Sequence, residues 1–84
     1  MYNKDKHTLL RKYENKFYLV APRATVYECN EIVARIYDLC NGLNSMEDMV
    51  DKLLEIYDVD KTALRNDVEK CSLELEELLY ICQE

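Results

Sequence analysis

The stretch VYECNEIVARIYDLCNG, residues 26–42, begins with the alternation of a strand and ends with the spacing of a helix. Period two puts Tyr27 and Cys29 on one side and Val26 and Glu28 on the other. From Ile32 onward, Val33, Ile36, Tyr37, Leu39 and Cys40 share one broad face at helical spacing. Asn30 stands between the two as an N-cap, because its side chain can accept a bond from a free amide of the first turn. Gly42, the only glycine in the chain, suits the left-handed position that closes a helix. No linker separates strand from helix, so the strand is held rigidly against whatever the helix packs on.

Working outward, TLLRKY (8–13) and KFYLVA (16–21) read as two strands joined by a turn at Glu14-Asn15. Pro22 ends the second because it cannot donate to a ladder. Residues 25–29 then make a third strand, and the short turns imply an antiparallel meander. Downstream, Ser45 with Asp48 three positions later forms a capping box, opening a helix that buries Met46, Met49, Val50, Leu53, Leu54 and Tyr57. Asp60 caps a third helix. In it Leu64, Val68, Cys71, Leu75, Leu78 and Cys82 recur at alternating spacings of four and three, a seam of about six turns, continuous or broken near Leu75. Leu73 and Tyr80 fall off this seam on an exposed line. The expected fold is α+β: a three-stranded antiparallel sheet followed by three helices, in a winged helix-turn-helix-like order. A single domain spans 1–84, with 1–7 as a flexible N-terminus.

Charge is divided unevenly. Residues 1–44 carry seven Lys/Arg and five Asp/Glu, net +2; residues 45–84 carry four and twelve, net −8. The acidic half is the half ordered like helix-turn-helix. It would repel a phosphate backbone, which disfavours nucleic acid and favours a basic peptide or protein surface. The longest apolar runs, FYLVA (17–21) and LLYIC (78–82), fall far short of a membrane span. MYNKDKHTLL lacks the apolar core of a secretory signal, so a cytoplasmic location with reduced cysteines is expected.

Cys29, Cys40, Cys71 and Cys82 include no C-x-x-C pair, so they read as small buried hydrophobes rather than metal ligands. The one histidine, His7, lies near the N-terminus, and a single glycine cannot build a phosphate-cradling loop. No catalytic residue, metal site or cofactor is expected, and the chain reads as a binding protein rather than an enzyme.

LVAPRATVYECNEIVARIYDLCNG (19–42) resembles the PqqD-like peptide chaperones, or RiPP recognition elements. That family shows a proline turn, a strand, Leu-Asn and an amphipathic helix ending in a Cys-Asp-Gly-like stop. Cys29-Asn30 stands here for Leu-Asn, and Cys40-Asn41-Gly42 for Cys-Asp-Gly. SMEDMVDKLLEIYDVD (45–60) is similar to the family's second helix. LRNDVEKCSLELEELLYI (64–81) is similar to its third, with Asp67-Val68 matching a frequent Asp-Val. EELLYI lacks the glycine often found before the closing hydrophobics. The resemblance, over roughly residues 9–81, implies a domain that binds the leader of a ribosomally made precursor peptide. It would present that leader to a tailoring enzyme, often a radical SAM protein, with the leader adding as a strand to the third strand beside the third helix.

The residues supply a mechanism for this. In a 1-2-3 meander the third strand is an edge, whose outward amides and carbonyls can pair with an extended peptide. The expected contacts are Thr25, Val26, Tyr27, Glu28 and Cys29 on the strand, with Leu64, Arg65, Val68, Cys71 and Leu75 on the third helix. Arg65 and Lys70 are placed to meet leader carboxylates; Asp67 and Glu74 would instead meet leader Lys or Arg. The alternatives are a winged helix-turn-helix DNA-binding regulator and a homodimer formed through the uncovered edge.

Overall fold

In the computed structural model, which describes residues 1–22 and 26–83, local chemistry sets most of the elements. The order is β1 (Tyr2–Lys4), β2 (Leu9–Tyr13), β3 (Lys16–Val20), β4 (Val26–Cys29), α1 (Glu31–Leu39), α2 (Met46–Leu54), α3 (Lys61–Glu77) and β5 (Ile81–Gln83). Strands β2, β3 and β4 form an antiparallel sheet in that order. Tyr13 pairs with Lys16 across the two-residue turn, where Glu14 adopts φ 57. A side chain in that left-handed region costs about 1–2 kcal/mol.

Each helix starts where its cap stands. The Val33 amide donates to Asn30 Oδ1 at 3.0 Å, and the Ala63 amide donates to Asp60 Oδ2 at 2.9 Å. Ser45 and Asp48 bond reciprocally, with the Asp48 amide 3.1 Å from Ser45 Oγ and the Ser45 amide 3.0 Å from Asp48 Oδ2. The helices cover one face of the sheet. Leu19 of β3 is buried with Ile36 of α1, Met49, Val50 and Leu53 of α2, and Val68 and Leu75 of α3.

The structure departs from the sequence-based expectation in two places. Residues 2–4, expected within a flexible N-terminus, form β1, which runs antiparallel to β5 with Tyr2 opposite Gln83 and Lys4 opposite Ile81. Gly42 supports this pairing. It takes φ +78, a Cβ there would lie 3.4 Å from the Asn3 side chain, and its amide donates to the Tyr2 carbonyl at 2.9 Å.

The third helix also stops earlier than its seam suggests. The Leu79 amide donates to Glu76 O and the Tyr80 amide to Leu75 O, both at 3.0 Å, with Leu79 at φ 67. These are the paired bonds of a Schellman stop, in which the left-handed position is usually glycine. Past this turn the helical phase is lost. Tyr80 and Ile81 are buried, while Leu78 and Cys82 are exposed, reversing the expected facing of Tyr80, Leu78 and Cys82. No helix among the described residues is long and apolar enough to cross a membrane.

Candidate functional site

Strand β4 occupies the end of its sheet. On one side it pairs with β3, Val26 opposite Val20, Tyr27 opposite Leu19, Glu28 opposite Tyr18 and Cys29 opposite Phe17. Among the described residues no strand lies on its other side. In an antiparallel strand alternate residues direct both backbone groups outward, so this edge presents an open row of donors and acceptors. Val26 is 59% exposed on the solvent face, and Glu28 there pairs with Lys16 at 3.3 Å. Tyr27 and Cys29 point the other way, toward the helices.

Tyr27 joins the edge to α3. Its hydroxyl donates to Glu74 Oε1 at 3.0 Å, and its ring lies 5.8 Å from that of Tyr80, tilted by 53°. Cys71 and Leu78 stand three residues before and four after Glu74, on the same edge of the helix. Burial and the hydrogen bond to Glu74 push the Tyr27 hydroxyl up to about 12. Burial, with Glu74 nearby, pushes the Cys71 thiol up to about 11. Burial raises Cys29 as well. At neutral pH these three groups are uncharged, so the cleft between β4 and α3 has neutral thiols and aromatic rings inside and carboxylates along its rim.

The structure brings some of the expected contact residues together and separates others. Val26, Tyr27, Glu28 and Cys29 form the edge; Thr25 lies outside the described residues. Cys71 is half-buried and faces the cleft, whereas Leu64, Val68 and Leu75 are in the core. Arg65 precedes Glu74 by nine residues, about half a rotation of the helix. Its Nη1 donates to Glu47 Oε2 at 2.9 Å and its Nε to Glu69 Oε1 at 3.2 Å, on the side toward α2. Tyr80, assigned by periodicity to the surface, is instead the aromatic neighbour of Tyr27. Glu74, expected to meet leader Lys or Arg, shares the helical phase of Cys71 and is its companion in the cleft. No local signal marks Tyr80.

Lys61 is engaged in the same way as Arg65, with Glu47 at 3.1 Å and Asp51 at 3.3 Å. Two cations of the α2–α3 unit, Lys61 and Arg65, are thus held by its own acids, and the DNA-binding alternative gains no support.

An open sheet edge tied to a helix, in a domain of this element order, defines a winged-helix-like α+β module. The family model described as Coenzyme PQQ synthesis protein D (PqqD) matches residues 17–78, and the chain belongs to that family. Two solved structures share the fold. One is TbiB1 in complex with the TbiA(beta) leader peptide, with TM-score 0.83 and 16% identity over 98% of this chain and 96% of that one. The other is lasso peptide synthetase B1 complexed with the leader peptide, with TM-score 0.83 and 16% identity over 98% of each chain. No curated protein gives a significant match.

Proposed function

We propose that the chain binds the leader region of a ribosomally synthesised precursor peptide as an added strand on β4 and presents it to a modifying enzyme. The observation that carries this is the position of β4, at the end of its sheet beside α3, with no strand on its outer side among the described residues. Membership of the PqqD family supports it, as does the fold shared with two proteins solved with leader peptides.

Four strand residues offer about four outward backbone bonds, each contributing about 0.5–1.5 kcal/mol net. That total is small against the cost of ordering a peptide, so selectivity comes from leader side chains that turn inward beside Tyr27 and Cys29 and meet Cys71 and Glu74. Leu64, Val68 and Leu75 support the floor, and Arg65 acts through its hold on α2. The protein performs no chemistry of its own; protonated thiols in the cleft are weak nucleophiles. It acts in the cytoplasm by holding the leader near a tailoring enzyme, a radical SAM protein in this proposal, and so raises the local concentration of the core peptide.

The test is calorimetric titration with synthetic leaders from short reading frames beside this gene, unmodified and N-methylated at alternate residues. Strand addition predicts that methylation in one phase weakens binding at least about tenfold while the other phase is tolerated. Equal binding of both phases contradicts strand addition.

A further inference from the structure

We propose that Glu74, held in place by Tyr27, makes the cleft select leaders that carry Lys or Arg at the inward position beside Tyr27. This rests on strand addition to β4. Side chains of an added strand alternate, and every second one turns toward the helices as Tyr27 and Cys29 do. The one next to Tyr27 arrives at Glu74.

Three features of that spot favour a cation. The Tyr27 hydroxyl, 3.0 Å from Glu74 Oε1, fixes the carboxylate at the rim, yet a carboxylate has about four lone-pair sites and one bond leaves room for more. Next, the charged groups along this edge of α3 are Asp67, Lys70, Glu74 and Glu77, three acids and one cation. Arg65 is turned away and bound to Glu47 and Glu69, so it does not offset them. Finally, the half-buried Tyr27 ring, backed by buried Tyr80 at 5.8 Å, gives the same spot an aromatic wall, which attracts Lys or Arg. An acidic leader residue would meet Glu74 while partly desolvated, on an edge where acids outnumber the one cation, Lys70.

The probe is a phage-displayed library of random dodecapeptides panned against the full chain and its E74Q, E74K and Y27F variants. Glu74 is exposed, and circular dichroism confirms that each variant folds. The wild type should enrich strand-forming peptides with Lys or Arg at one fixed position. In E74Q that basic preference should fall about tenfold while the strand pattern persists, and in Y27F it should weaken. E74K should select Asp or Glu at the same position. Enriched peptides without a basic position, or an unchanged preference in E74Q, would overturn the assignment of Glu74 while leaving strand addition standing. Failure to enrich any peptide would remove strand addition and the inference with it.

Discussion

Raising the pH should destabilise this protein through Cys40. The Cys40 side chain is fully buried, its thiol donates to the Ile36 carbonyl at 3.2 Å, and burial pushes its pKa from 9.0 up to about 12. Both states keep the thiol protonated below pH 9.0, so the native preference for the neutral form is then fully present. Between pH 9.0 and about 12 the unfolded chain ionises while the folded chain does not, and stability falls. At about 1.4 kcal/mol per tenfold change in proton affinity, about 3 kcal/mol is lost by about pH 11.

Tyr37 acts in the same direction. It is buried, its hydroxyl donates to the Thr8 carbonyl at 3.3 Å, and burial raises it from 10.0 to about 12. It adds about 1 kcal/mol of loss by about pH 11. Together they remove about 4 kcal/mol, against a total of about 4–13 kcal/mol for a chain of this length. Urea melts followed by circular dichroism at about pH 8 and about pH 11, with reductant present, read this directly. Cys40→Ala should cost about 1–2 kcal/mol at about pH 8 through its cavity, yet match or exceed the wild type near pH 11 because it no longer titrates. A wild-type stability that stays flat, or a Cys40→Ala variant that keeps the full decline, refutes the reasoning.

Further outcomes follow from backbone and caps. Glu14→Gly relieves the φ 57 turn residue without losing buried surface, and should stabilise by about 1 kcal/mol, raising Tm by about 4–8 °C in a thermal melt. Leu79→Gly relieves similar strain at φ 67 but discards a half-buried leucine worth about 1 kcal/mol, so its Tm should move far less. Ser45→Ala breaks the capping box and should cost about 1 kcal/mol at neutral pH. Bonds from Ser45 hold the Asp48 carboxyl below its usual range. That pair's contribution is present above the ordinary carboxylate range and lost as pH falls through the lowered pKa, so Asp48→Asn, which removes the titrating group, should flatten the acid limb of an unfolding titration.

What could be read from the sequence was local. Asn30, Ser45 and Asp60 cap helices through bonds spanning three residues, and alternation in 26–29 placed Tyr27 and Cys29 inward. The β1–β5 pair was hidden because three-residue strands carry no period, and their pairing joins the two ends of the chain. The end of α3 was hidden because its left-handed stop is made by Leu79 instead of a glycine. That turn moves Tyr80 inward, against a periodicity that assigned it to the surface. On α3, Arg65 was placed among the expected contacts and Glu74 only among acids that could meet leader cations, but packing turned Arg65 toward α2 and Glu74 toward β4.

Amide hydrogen exchange by NMR tests strand addition most directly. On saturation with a cognate leader, the outward amides within residues 26–29 should gain at least about tenfold protection, with those of β2 unchanged. Protection appearing on β2 or across α1 and α2, with β4 unaltered, would contradict a leader strand on that edge.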